Sequence, residues 1–157
     1  MNRRQTVSPS RWFVLDAENA GDIRKMLRDL PRETGVFVIN ARAQTALRQL
    51  RRLAAHRNLS VAIEHPRSAM RVHAMKELRR ALQHRAKLVF LSPIYPTSSH
   101  PEWRPIPRMR AATMARLGGR NILALGGMDE RRFERVRPLG FVVWAGITAW
   151  KRGKIRT

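Results

Sequence analysis

A hydroxyl-rich segment follows an apolar run in the second half of the chain. The segment LSPIYPTSSHP, Leu91 to Pro101, places Thr97, Ser98, Ser99 and His100 between two prolines. Hydroxyl groups can donate hydrogen bonds to phosphate oxygens at little desolvation cost, and a histidine can also act as a donor. The same residue types are common in polar turns that bind nothing. The segment therefore indicates either an anion-binding loop or a plain turn.

Glycines end two later apolar runs. Gly126 and Gly127 follow NILAL and precede a helical pattern that starts near Asp129, and Gly146 ends FVVWAG. Glycine allows a tight turn that presents backbone N–H groups, and a helix N-terminus adds partial positive charge. Many strand-to-helix turns use glycine for geometry alone. Both interpretations stay open at this point.

Six apolar runs of strand length predict the elements that position these residues. They are WFVLD at 12–16, VFVIN at 36–40, SVAIE at 60–64, KLVFLS at 87–92, NILALG at 121–126 and FVVWAG at 141–146. Continuous apolar strands are typical of parallel sheets buried on both faces. Helical patterns separate them, with Asp22 and Asp129 as N-caps. One helix is expected in 66–86, although Met70 and Val72 fit its apolar face less cleanly.

The alternation of strands and helices predicts an α/β fold with a mostly parallel sheet, open or closed into a barrel. Ligands of such folds bind at the C-terminal ends of the strands, where both glycine turns and the hydroxyl-rich segment fall. Residues 11–150 are expected to form one domain. A basic flexible segment, 1–10, precedes it and a basic tail, 151–157, follows it.

The composition limits the partners and the location. The chain has 32 basic and 11 acidic residues, a net charge of +21, so non-specific nucleic-acid binding is one interpretation. Solvated helix faces are the other, because pairs such as Arg51-Arg52, Arg79-Arg80 and Arg131-Arg132 fall on polar sides of predicted helices. The chain has no cysteine, no signal-peptide pattern and no run long enough to span a bilayer. We expect a cytoplasmic protein without a membrane partner.

Three motifs in order carry a resemblance to a known family. SPIYPTSSHP, then a strand ending in ALGGM, then GFVVWAGITAW, resemble the C-terminal half of the thiamine phosphate synthase/thiazole tautomerase family. Members of that family typically carry SPVFPTxSHPG, then AIGG or ALGG, then a last strand of the AVISA type. The resemblance covers residues 86–150 well and residues 12–64 more loosely.

The resemblance implies a TIM-type (β/α) barrel and a phosphate site. Thr97, Ser98 and Ser99 fall where the family's loop contacts phosphate or pyrophosphate, and Gly126 and Gly127 fall at its phosphate-binding backbone. Gly146 and Ile147 match the turn after the last strand. The synthase joins hydroxymethylpyrimidine diphosphate to thiazole phosphate and releases pyrophosphate, which Mg²⁺ and hydrogen-bond donors stabilise.

The chain departs from the family in its middle. A full barrel takes about 200 residues or more, so we expect a partial barrel with about six βα units. The strand that supplies the family's acidic Mg²⁺ ligands is missing, which leaves Asp16 as the best metal ligand. Asn40, Arg42 and His100 are the candidate substrate contacts. Open sheet edges in a shortened barrel predict a homodimer.

Four functions remain open from the sequence. The leading hypothesis is a thiamine phosphate synthase-like protein, with catalysis either retained or impaired. The second is a non-catalytic or regulatory relative that binds a phosphorylated pyrimidine or thiazole. The third is a basic nucleic-acid-binding protein, and the fourth is a tautomerase with His65 or His100 as the base.

Overall fold

The computed structural model describes residues 9–18 and 22–147. Residues 1–8 of the predicted N-terminal segment and the whole predicted tail, 151–157, lie outside this described part.

The part of the chain that the structure describes contains seven β-strands. These are β1 (Arg11–Asp16), β2 (Gly35–Ile39), β3 (Ser60–Ile63), β4 (Ala69–Val72), β5 (Leu88–Leu91), β6 (Ile122–Leu125) and β7 (Val143–Gly146). They form one sheet in the order β3-β2-β1-β7-β6-β5-β4, and every pair of neighbouring strands is parallel. The sheet is nearly closed on itself with helices outside it. The predicted α/β TIM-type barrel is confirmed.

Five α-helices occur in the same described residues. They are α1 (Ile23–Asp29), α2 (Gln44–His56), α3 (Met75–Gln83), α4 (Arg108–Gly118) and α5 (Glu130–Val136). The predicted caps are confirmed, since the carboxylates of Asp22 and Asp129 accept hydrogen bonds from the backbone N–H of Lys25 and Arg132. Each cap satisfies a donor that the first helical turn leaves unpaired.

The predicted number of six strands is wrong, because β4 lies inside the segment assigned to a helix. Ala69 and Val72 are fully buried on this strand, and the helix that follows begins only at Met75. The poor fit of Met70 and Val72 to a helical face was the sign of this strand. At four residues, β4 is too short for a period-2 pattern to stand out from the helical pattern that follows it.

Side chains that alternate along the strands form two layers. The interior cluster contains residues from all seven strands and none from a helix: Trp12, Val14, Phe37, Ile39, Ala62, Ala69, Phe90, Leu123, Leu125 and Ala145. Phe37 and Phe90 stack face to face across this interior, with ring centroids 4.0 Å apart. The alternate residues, such as Phe13 and Val72, pack outward against the helices. The barrel interior is therefore filled by side chains.

The seam of the barrel lies between β3 and β4, which stand at the two ends of the strand order. No helix separates them. Residues 64–68 form a turn in which His65 and Ala69 exchange backbone hydrogen bonds, and Leu88 donates to the carbonyl of Ser68. Isolated bridges join Glu64 and His65 to Ala69. The chain thus draws the two end strands together itself, and the homodimer stays a prediction.

None of the helices in residues 9–18 and 22–147 is long and apolar enough to cross a membrane. The cytoplasmic location stays a prediction.

Candidate functional site at the barrel mouth

The C-terminal ends of the seven strands define the mouth of the barrel. Asp16 ends β1, Asn40 follows β2, Ser92 follows β5, Gly126 follows β6, and Gly146 ends β7. Since all neighbouring strands are parallel, these residues lie along the same edge of the sheet. The structure therefore places these predicted residues along one edge of the sheet.

The loop after β5 packs against the glycines after β6. Ile94 N donates to Leu125 O at 2.9 Å, and Tyr95 N donates to Gly126 O at 3.1 Å. The Ser92–Pro93 peptide bond is cis. These contacts continue the β5–β6 pairing beyond the strands, so the two motifs of the sequence form one unit at the mouth.

Close packing explains why glycine occupies both positions. A Cβ at Gly126 would lie 2.8 Å from Pro93 Cα, and a Cβ at Gly127 would overlap the carbonyl oxygen of Pro96. The φ angles are also positive, +91° and +60°, a region that L-residues with a Cβ rarely adopt. The carbonyls of both glycines accept hydrogen bonds, so the backbone groups that a ligand could use here are their N–H groups.

Arg132 supports this unit from α5. Its Nη1 donates to the carbonyl of Gly127, and its guanidinium carbon lies 5.2 Å from the centroid of the Tyr95 ring. Arg131 is exposed as predicted, and the side chain of Arg132 is 43% exposed while its guanidinium also reaches the glycine turn. Arg132 contacts residues of two different loops. Two adjacent arginines in a sequence give no indication of such tertiary contacts.

The hydroxyl-rich segment lies above this unit. Ser98, Ser99 and His100 are exposed and Thr97 is half-buried. Thr97 Oγ1 accepts from Ser99 N at 3.4 Å, a local turn contact that the plain-turn interpretation also explains. The hydroxyls lie at the mouth as predicted, and whether they contact phosphate stays a prediction.

Two aromatic residues link this loop to the end of β4. The His100 ring stacks on Trp103 with centroids 4.1 Å apart, and the edge of Trp103 meets His73 at 4.8 Å. The Nδ1 of His73 lies 2.7 Å from Ser92 O, so it carries the proton in that hydrogen bond. No sequence pattern indicates His73, because the strand before it lies inside the segment predicted as a helix.

On the opposite side of the mouth, polar side chains pair with each other. Asp16 Oδ1 accepts from Asn40 Nδ2 and from Glu18 N, each at 3.1 Å, and Arg42 Nε lies 2.9 Å from Glu18 Oε1. Asn40 has φ of +55°, which asparagine tolerates better than most residues. Asn40 and Arg42 line a cavity of about 220 Å³ together with Leu15, Val38 and Leu47. That cavity lies between the strands and α1 and α2, outside the barrel interior.

Gly146 and Ile147, the remaining predicted site residues, lie between the β5–β6 side and the β1–β2 side of the mouth. Gly146 is buried and pairs with Phe13 of β1, and Ile147 packs against the interior cluster. The turn after β7 therefore faces the mouth, next to both β1 and β6.

Sequence reasoning missed an ion pair at the seam. The carboxylate of Glu64 receives two hydrogen bonds from Arg71, from Nε to Oε1 at 2.6 Å and from Nη2 to Oε2 at 3.0 Å. Arg71 was assigned to a predicted helix, and Glu64 was noted only as the last residue of SVAIE. An acid and a base seven positions apart give no signal unless the turn and strand between them are recognised.

The side chains at this edge offer few groups that could ligate a metal ion. Among the described residues, no group of three or more His, Asp or Glu side chains could hold a metal ion. Asp16 offers one carboxylate, and its Oδ1 already accepts two N–H donors. Mg²⁺ can bind through one or two carboxylates with water and phosphate oxygens as its other ligands. Whether Asp16 ligates Mg²⁺ stays a prediction.

Comparisons with known proteins give structural likeness without sequence likeness. No family model matches the chain, and no curated protein matches it. The chain is similar to the structure of thiamine phosphate pyrophosphorylase from Pyrococcus furiosus, with a TM-score of 0.67 and 14% identity, over 94% of this chain and 89% of that chain. It is also similar to a solved protein described as "Native KDPGal structure", with a TM-score of 0.59 and 9% identity, over 90% of this chain and 83% of that chain.

At these identities the likeness shows the fold alone. The chain is an α/β TIM-like barrel, and its fold resembles that of a thiamine phosphate pyrophosphorylase over almost its whole described length.

Proposed function

We propose that the protein is a thiamine phosphate synthase-like protein that binds a phosphorylated pyrimidine or thiazole at the barrel mouth. One observation carries the proposal: the loop after β5 and the Gly126–Gly127 turn form a single hydrogen-bonded unit at the C-terminal edge. The fold likeness to a thiamine phosphate pyrophosphorylase supports it. So do the three sequence motifs, which fall on this edge in the family's order.

The mouth offers a phosphate several kinds of donor. The N–H groups of Gly126 and Gly127 lie before α5, and Thr97, Ser98 and Ser99 offer hydroxyls from the loop above. A phosphate held by neutral donors and backbone N–H groups costs less desolvation than one held by a buried charge. Gly146 and Ile147 would form the adjoining wall, while Asn40, Arg42 and His100 stay candidate contacts on the rim.

In the synthase reaction the residues of this chain would orient two substrates and stabilise a departing pyrophosphate. Asp16 would hold the Mg²⁺ ion, which neutralises charge on pyrophosphate when bound. The donors of the mouth would stabilise the same charge as it develops on the leaving group. No protein nucleophile is required, because the nitrogen of the thiazole forms the new bond.

Calorimetric titration tests this proposal. Thiazole phosphate, thiamine phosphate and pyrophosphate are titrated separately into the full chain at moderate salt, each with Mg²⁺ and with EDTA. We expect saturable binding with a dissociation constant in the micromolar range, and product formation when both synthase substrates are supplied. Absence of heat with all three ligands, in a protein shown by circular dichroism to be folded, would contradict the proposal.

A non-catalytic relative is the second candidate, and one observation favours it. The acidic side chains at the mouth are engaged within the protein: Asp16 with Asn40, Glu18 with Arg42, and Glu64 with Arg71. Binding that is equally tight with Mg²⁺ and with EDTA, without turnover, would support this candidate over the synthase.

A further inference from the structure

We propose that Arg71, held in place by Glu64, is an anchor for the phosphate or pyrophosphate group of the ligand and works without a metal ion. The inference rests on the proposed function, because it assigns a further residue to the same mouth. It goes beyond the motifs, since neither residue belongs to any of them.

The position of both side chains follows from strand alternation. Ala69 and Ala62 belong to the interior cluster, and Arg71 and Glu64 come two residues after them. Side chains two apart on a strand point to the same face. The pairing of β2 and β3 continues to Glu64, whose N–H donates to Val38 O at 2.9 Å. Arg71 and Glu64 therefore start from the interior face, toward the C-terminal edge of the barrel.

The geometry leaves part of the guanidinium available. Glu64 occupies Nε and one N–H of Nη2, and Arg71 makes no other hydrogen bond within the described residues. One N–H of Nη2 and both N–H groups of Nη1 remain, and the edge between Nη1 and Nη2 matches the spacing of two phosphate oxygens. The side chain of Arg71 is 26% exposed and that of Glu64 is 30% exposed. Solvent, and hence a small anion, can reach the pair.

Glu64 fixes the orientation of Arg71, and its negative charge cancels the positive charge of the guanidinium. A bidentate carboxylate fixes the plane of the guanidinium, so less conformational entropy is lost when an anion binds. The pair has no net charge, and binding must come from directed N–H donors in the positive field of a chain with net charge +21.

The seam brings this arginine to the edge of the sheet. Its turn, residues 64–68, places Glu64 next to Ala69 and close to Arg71. The remaining N–H groups of Arg71 can bind an anion directly, whereas acidic residues would need a bound cation first. Phosphate binding in this barrel therefore need not depend on Mg²⁺.

A purely structural role for the pair is the competing interpretation. The ion pair crosses the seam between β3 and β4, and breaking a half-buried pair lowers stability. Stability alone therefore decides nothing, and the test compares ligand affinity between variants that lose the same charge.

The experiment titrates pyrophosphate and inorganic phosphate into the full chain in EDTA at moderate salt, for wild type, Arg71→Met and Arg79→Met. Arg79 is exposed on α3, so its removal matches the loss of charge without touching the mouth. We expect Arg71→Met to weaken pyrophosphate binding by about tenfold to a hundredfold, as the loss of charge-assisted hydrogen bonds implies. Arg79→Met should stay within about twofold of wild type. Equal affinities for the two variants would overturn the inference.

A second variant covers the case in which Arg71→Met does not fold. Glu64→Gln keeps a hydrogen-bond acceptor and removes the negative charge, so it should tighten pyrophosphate binding by about two- to fivefold while lowering the midpoint of thermal unfolding. Lower stability with unchanged binding would show that the pair only closes the seam. Wild-type protein that binds neither anion would refute the phosphate-binding function itself, and that outcome is distinct from a failure of Arg71 alone.

Discussion

The two halves of the barrel mouth are built in different ways. On the β5–β6 side, glycines with positive φ angles pack against a proline-rich loop, and main-chain hydrogen bonds hold the arrangement. On the β1–β3 side, side chains hold each other in pairs, Asp16 with Asn40 and Glu18 with Arg42. The first half depends on close backbone contact, and the second on polar pairs open to solvent.

This difference determines how strongly a substitution in each half lowers the stability of the protein. Backbone that is packed against backbone cannot relax around an added methyl group, since either the strained φ angle or a neighbouring peptide must move. A solvated polar pair can be lost and replaced by water at a small cost. Substitutions in the β5–β6 half should therefore reduce stability more than equivalent ones in the β1–β3 half.

The largest effect is expected at Gly127. Gly127→Ala should lower the free energy of unfolding by about 2–4 kcal/mol, since a Cβ would overlap Pro96 O and the φ angle is +60°. Gly140→Ala is the control, with φ of +111° but its nearest side-chain atom at an ordinary 3.6 Å. It should cost about 1 kcal/mol from backbone strain alone. Urea unfolding measures both, and equal losses would remove the argument for close packing.

A smaller effect is expected at Asp16. Asp16→Ala removes the acceptor of two hydrogen bonds, from Asn40 Nδ2 and Glu18 N, and should cost about 1–2 kcal/mol in urea unfolding. Asp29→Ala is the matched control, because Asp29 is exposed and lies 4.0 Å from Arg28. It should change stability by less than about 0.5 kcal/mol. A loss at Asp16 larger than that of Gly127→Ala would reverse the comparison between the two halves.

The smallest effect is expected at Arg132, which contacts the β5–β6 unit only from outside. Arg132→Met removes the donor to Gly127 O and the contact with the Tyr95 ring, so a loss of about 1 kcal/mol is expected. Its exposed neighbour provides the control, and Arg131→Met should be neutral within about 0.5 kcal/mol. If both variants unfold at the same urea concentration, the Arg132 contacts do not stabilise the glycine turn.

Much of the fold could be predicted from the sequence, because buried parallel strands are continuous apolar runs. Six strands and two aspartate caps lie where the patterns place them, within one or two residues, whereas the helix expected in 66–86 is observed only at Met75–Gln83. The seventh strand could not be found, since AMRV is short and runs directly into the pattern of α3. Local periodicity cannot separate a four-residue strand from the first turn of the helix after it.

The two halves of the candidate site also differ in how well the sequence predicts them. Gly126, Gly127 and the segment from Ser92 to His100 have sequence signatures, because tight turns demand particular residue types at adjacent positions. The partners of the other half are apart in sequence: Asn40 bonds to Asp16, and Arg71 bonds to Glu64 only after the turn of residues 64–68. Such pairs depend on the tertiary fold, and residue types alone give no sign of them.

Two contacts close the barrel, one between β3 and β4 and one between β1 and β7, and they can form at different times. The turn of residues 64–68 closes β3 onto β4 from neighbouring residues, as soon as that short stretch exists. The pairing of β1 with β7 joins Arg11 to Trp144, which lie near the two ends of the described chain. During synthesis on a ribosome, one edge of β1 therefore stays unpaired until β7 has emerged, and long-range closure of this kind is slow. The newly made chain exposes a sheet edge for most of its translation, and that interval is where aggregation or a chaperone would compete with folding.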